Sequence, residues 1–162
     1  GPTELAAHIT TIHHTFLRTE MPTLVGLAAK VALVHGERHG ELDRVRDLVK
    51  ALWLELEPHL DKEEAVLFPA ISRLASGAAE PFGSVANPIG VLLTEHDSAG
   101  EILAELRAVT AHYTVPADGC ASYQALYAGL VAVETDTHIH IHKENNVLFP
   151  AITALEAAAV SA

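Results

Sequence analysis

Histidine and glutamate spaced four residues apart are the positions where this sequence could do chemistry. The stretch His59–Ile71 (HLDKEEAVLFPAI) recurs as His140–Ile152 (HIHKENNVLFPAI), 81 residues later. On a helix, residues four apart stand one above the other on one face, so the imidazole and carboxylate of each copy can reach a single metal ion. If the two halves are equivalent, the helix preceding each motif must match as well. A shift of 82 residues carries His14 onto His96, whereas His8 and His13 land on Gly90 and Glu95. The resulting set is His14, His59, Glu63, His96, His140 and Glu144, with one or two ligands from each of four helices. Two-metal sites in bundle cores are built this way. Imidazole suits Fe, Zn, Cu and Ni, carboxylate suits harder ions, and the mixture suits iron best. With both carboxylates bridging, each ion would have two histidines and two carboxylate oxygens, leaving open positions for a small ligand. Burying these groups unpaired would cost several kcal/mol for each charge, which argues that they face inward around metal.

The remaining candidates are weighed as ordinary residues first. Glu64 is five residues from His59 and its repeat partner is Asn145, so it is left out of the ligand set. Glu95, beside His96, is a candidate carboxylate for supporting the ligands or lining a channel. His138 and His142 are four apart but lie about 200° around the helix from His140, on a face expected to be solvated. His35 and His39 flank a turn and are expected to be exposed, His8 and His13 to line an entrance, and His112 to sit near a helix end. Cys120, which follows Gly119, reads as a small packing residue.

These residues need elements that hold them together. Apolar residues recur at helical spacing, as in Leu42, Val45, Leu48, Val49, Leu52 and Leu56, and strand-favouring residues are scattered, so the chain is all-α. Breaks at 35–40, 76–88 and 114–119 leave four long segments, roughly 4–35, 41–75, 89–113 and 120–158. Segments of that length fit one domain only as aligned helices, and short connections make an up-down-up-down four-helix bundle. Pro22 and Pro58 should kink or end their helices, and Pro69 and Pro150 should split off short extra helices.

A length of 162 residues is enough for one self-sufficient core. A net charge of −11 repels phosphate backbones and anionic lipid, which excludes nucleic acid and membrane surfaces as expected partners. No stretch is long and apolar enough to span a bilayer. One cysteine forms no intrachain disulfide, and a reducing cytoplasm is the expected compartment. Gly1-Pro2 in place of Met reads as a remnant of tag removal, so the domain is taken as 3–162.

The two motifs, with Thr94–Glu101 (TEHDSAGE), Tyr113–Cys120 (YTVPADGC) and Tyr123–Leu130 (YQALYAGL) between them, resemble the hemerythrin-like domain of the RIC (YtfE/ScdA-type) iron-sulfur cluster repair proteins. The resemblance runs over nearly the whole chain. It implies a non-haem di-iron centre with four histidines and two bridging glutamates, falling on the six positions already chosen. The expected cofactor is two iron ions with an oxo or hydroxo bridge, with Zn or Mn as substitutes. The implied function is repair of iron-sulfur clusters damaged by nitrosative or oxidative stress, through iron donation or nitric oxide chemistry on iron-sulfur client proteins. The alternative is a module that binds or senses O2 or NO without turnover. Oxygen-carrying hemerythrins have His-x-x-x-His on the third helix, whereas the fourth position after His96 is Gly100. The family also carries a small N-terminal domain with a cysteine pair, and no counterpart precedes Thr3 in this sequence.

Overall fold

The computed structural model describes residues 1–78, 80–81 and 83–160. The last two residues of the expected domain, Ser161 and Ala162, lie outside the described residues. Among the described residues there are seven α-helices and no strand: α1 (Pro2–Ile9), α2 (Thr15–His35), α3 (Glu41–Lys62), α4 (Phe68–Ala75), α5 (Ala86–Val109), α6 (Ala121–Lys143) and α7 (Phe149–Val160). Helices α2, α3, α5 and α6 form the up-down-up-down bundle, with α2 packed on α3 and α6, and α3 on α5. Arg107 of α5 donates to Glu134 of α6 at 2.8 Å.

Three π turns join helices end to end: Thr10–His14, Glu63–Leu67 and Glu144–Leu148. In the second and third, Phe68 and Phe149 donate their N–H groups to the carbonyls of Glu63 and Glu144, five residues back. The prolines that follow, Pro69 and Pro150, have no N–H to offer the residue four back, and their rings would clash with its carbonyl in an unbroken α-helix. A wider turn accommodates both, and α4 and α7 follow as the expected short helices. The first π turn has no proline; there the Thr15 hydroxyl adds a second bond to the Thr10 carbonyl at 3.2 Å. Each π turn begins or ends on a predicted ligand, as such turns often do at functional sites.

Pro22 and Pro58 lie inside continuous helices rather than ending them. Both are on exposed faces, where water satisfies the carbonyl that loses its donor. Helix α5 also differs from its expected span. It begins at Ala86 because Pro88 sits in the first turn, where an N–H has no helical partner anyway. It ends at Val109 because Ala111, His112 and Tyr113 turn left-handed, with φ of 47°, 58° and 59°. Such residues cost about 1–2 kcal/mol each. The Thr110 hydroxyl accepts the Tyr113 N–H at 2.9 Å, and the Tyr113 ring is buried under Arg107.

The apolar core has two parts. One fills the bundle body, from Leu17, Met21 and Leu24 to Leu103, Leu126 and Leu130. The other packs α1, α4 and α7 around Ile9, Ile71, Leu92 and Ile152. Between them runs a buried polar layer.

Candidate metal centre

That layer contains all six predicted residues. His14, His59, His96 and His140 are 1–5% exposed, and Glu63 and Glu144 are fully buried. They form two groups sharing both glutamates, His14–Glu63–His140–Glu144 and His59–Glu63–His96–Glu144, and in each group the donor atoms lie within 4.8 Å of one another. Glu63 turns Oε2 toward His14 Nε2 (3.2 Å) and Oε1 toward His59 Nε2 (3.4 Å). Glu144 turns Oε1 toward His140 Nε2 (2.9 Å) and Oε2 toward His96 Nε2 (3.1 Å). Each carboxylate therefore divides its two oxygens between the two groups.

All four imidazoles present Nε2 to the centre, and three are anchored through Nδ1. Glu64 holds His14 at 2.7 Å, Glu95 holds His59 at 2.8 Å and Asn145 holds His96 at 2.8 Å. A carboxylate only accepts, so Nδ1 of His14 and His59 carries the hydrogen and Nε2 keeps its lone pair for a metal. Arg18 pairs with Glu64 (3.1 Å), and Lys62 pairs with Glu95. The fourth imidazole, His140, is covered by the ring of His13, stacked at 5.3 Å and 8°. His13 in turn bonds Asp136 through Nδ1 and lies 2.8 Å from Lys143 through Nε2.

Electrostatics agree with a ligand set. Burial pulls His14 and His59 down to about 4, so both are neutral near pH 7. Burial, and then the charge of Glu144, push Glu63 well above the usual carboxylate range. Burial acts on Glu144 the same way but is outweighed by His140 and His96, and Glu144 stays below that range. Several of these buried atoms, although close to one another, complete no hydrogen bond: Nε2 of His14, both oxygens of Glu63 and Oε2 of Glu144. Leaving them so would cost about 1–3 kcal/mol for each group.

Glu95 hydrogen-bonds His59. Glu64, left out of the ligand set because it is five residues from His59 and matches Asn145, hydrogen-bonds His14, and Asn145 hydrogen-bonds His96; their shared place in the repeat was the signal. His138 and His142 are exposed as expected. His13 is buried against His140 rather than lining an entrance, although His8 is exposed. His35 is buried, contrary to expectation, and Cys120 is exposed rather than packed. Beside His59, His96 and the flank of His140 lies a cavity of about 10 Å³ whose lining includes Leu56, Ala99 and the exposed Glu55. It has room for about one water-sized molecule. Among the described residues no helix is long and apolar enough to cross a membrane.

Residues 5–152 match the hemerythrin HHE cation binding domain family. The chain is 38% identical over 149 residues to a probable iron-sulfur cluster repair protein of Haemophilus influenzae, covering 92% of this chain and 64% of that protein. It is 36% identical over 153 residues to the iron-sulfur cluster repair protein YtfE of Cronobacter sakazakii, covering 94% and 66%. For YtfE of Enterobacter sp. the figures are 37% over 154 residues, 94% and 67%. The chain thus spans just under two thirds of the length of the first two of these relatives.

Proposed function

We infer the function from the premise that this chain belongs to the hemerythrin HHE cation binding domain family: it holds two iron ions, with an oxo or hydroxo bridge, and serves in repair of iron-sulfur clusters damaged by nitrosative or oxidative stress. The domain is taken as residues 3–162 and the compartment as cytoplasmic. The observation that carries the metal assignment is the division of both carboxylates between two groups of donors. His14 and His140 would hold one ion, His59 and His96 the other, and Glu63 and Glu144 both. The orphaned buried atoms fit that assignment, and the donor set of neutral imidazole and carboxylate suits iron, with Zn or Mn as substitutes. Iron bound there would supply redox chemistry and positions for a small ligand.

The chain's own residues prepare the site. Glu64, Glu95 and Asn145 fix ring orientation and keep Nε2 unprotonated. The two apolar clusters flank the site, and the small cavity has room for about one water-sized molecule next to His59 and His96. Iron-sulfur client proteins follow from the relatives' names. The cavity also favours a second reading, binding or sensing of O2 or NO without turnover.

Adding the iron-loaded protein to an aconitase inactivated by nitric oxide separates the two. Repair predicts recovered aconitase activity with wild type and none with Glu63→Ala. Failure of the wild type to restore activity, together with a stable reversible oxygen adduct, contradicts repair and supports sensing.

A further inference from the structure

A second group of nitrogen donors adjoins the buried layer, where the ring of His13 stacks on that of His140. Lys143 Nζ lies 2.9 Å from Nε2 of His8 and 2.8 Å from Nε2 of His13. An ammonium only donates, so both imidazoles turn a lone pair toward the same place. His13 is 3% exposed, and Asp136 holds its Nδ1 at 2.8 Å, the carboxylate–histidine arrangement that orients metal-binding imidazoles. The second Asp136 oxygen is buried and completes no hydrogen bond. His8 is exposed and Lys143 half-buried, so solvent reaches the lysine from the His8 side. The local backbone explains the meeting of the two rings. Residues five apart in an unbroken α-helix point about 140° away from each other. The π turn over Thr10–His14 closes part of that angle, and the rings of His8 and His13 meet edge-on at 5.8 Å. No proline requires this turn. The equivalent lysine of the other half, Lys62, pairs with the Glu95 carboxylate. Among the described residues Lys143 makes no ion pair and meets the two imidazoles instead, which leaves its charge easier to displace by another cation.

We propose that His8 and His13 form an outer site for a divalent transition-metal ion, which takes the place of the Lys143 ammonium, and that iron passes through it between solvent and the buried centre. The site stands on its own donors, whereas the passage of iron rests on the di-iron reading of the centre. Lys143 swings into water on its flexible stem, the ion binds both Nε2 atoms, and water completes its shell. Imidazole suits such ions. Metal–nitrogen bonds of about 2.1 Å are about 0.7–0.8 Å shorter than the Lys143 contacts, an adjustment the exposed His8 side chain can make. Two imidazoles hold an ion less tightly than the four donors proposed for each buried ion, so the outer site fills and empties while the centre stays loaded.

Ni(II) is the probe, titrated by calorimetry onto iron-loaded protein in which His138 and His142 are both replaced by Gln, since that exposed pair could take Ni(II) itself. One Ni(II) per chain should bind. His8→Ala should abolish this binding, and because His8 is exposed its truncation leaves the core intact. Asp136→Asn should weaken it about tenfold. Lys143→Met should tighten it several-fold, because a competing positive charge is gone; a lysine that only packs would give no such gain. Release of iron from the reduced protein to a ferrous chelator should slow several-fold in His8→Ala at unchanged iron content. Ni(II) binding that survives His8→Ala, or that weakens in Lys143→Met, overturns the site, and an unchanged release rate overturns the passage of iron. Iron content of the same samples tests the buried centre separately, since the Ni(II) result does not depend on it.

Discussion

The two halves of the buried layer carry matching donors and differ in what stands behind them. At His59 and His96 the outer nitrogens meet Glu95 and Asn145, and the small cavity lies alongside. At His14 and His140 one outer nitrogen meets Glu64, and the other ring is covered by His13. The repeat places Glu95 and His13 at equivalent positions, as it does Lys62 and Lys143. In one half this makes a Lys62–Glu95 pair that supports His59; in the other it makes a Lys143–His13 contact that covers His140. The repeat matches the inner donors and not the outer partners, so the small cavity lies beside His59 and His96 while the ring of His13 covers one face of His140.

The largest expected effect comes from removing what the two positions share. Glu63→Ala or Glu144→Ala should empty both, taking metal content from about two ions per chain toward none, whereas replacing both His138 and His142 by Gln should leave it unchanged. Elemental analysis of the purified variants checks this, and the opposite pattern would break the equivalence of the halves. Next is stability. A metal at a thousandfold excess over its Kd contributes about 4 kcal/mol to the folded state, so chelation should lower the melting temperature while helicity persists. Replacing both glutamates by Gln removes their mutual repulsion, and that variant should bind no metal yet melt above the chelated wild type by circular dichroism.

The comparison sharpens with the outer carboxylates. Glu95→Gln should weaken only the His59/His96 position and Glu64→Gln only the His14/His140 position, by about 10- to 100-fold in affinity. Metal titrations of the two variants would each show one weakened site; uniform weakening of both would mean that the halves act as one unit. The smallest effect is on pH. In metal-stripped protein, burial lowers His14 and His59 from 6.5 to about 4, while burial and Glu144 raise Glu63 from 4.5. Between about pH 6.5 and 4.5 the unfolded chain takes up protons on His14 and His59 that the folded chain does not, and burial of His13 acts in the same sense, while the raised Glu63 carboxyl opposes them with at most one proton. The unfolded state binds more protons, so stability should fall on acidification, by about 1.4 kcal/mol per pH unit for each proton of net excess. Urea unfolding at pH 6.5 and pH 5 measures it; greater stability at pH 5 would mean that Glu63 dominates.

Much of this was legible in the sequence because a repeat reports equivalence directly. The offset of His59–Ile71 onto His140–Ile152, with the 82-residue shift of His14 onto His96, chose the six residues the fold brings together, and Pro69 and Pro150 marked the short helices. Of the outer partners Glu95 was a candidate, whereas Glu64 and Asn145 were hidden because the position needs only an oxygen acceptor at one place. Glu64 and Asn145 differ in type yet perform the same task. The burial of His13 and His35 depends on contacts with distant residues, His140 and Tyr123, which periodicity on one helix does not encode. The π turns were also missed, since a proline signals that the α ladder must change and not how.

Counting metal tests the central claim most directly. Protein expressed with ample iron, measured for every first-row metal and for protein by amino-acid analysis, should hold about two ions per chain, because donors divided as Glu63 and Glu144 divide theirs serve two centres. A reproducible ratio near one would contradict the bridged pair.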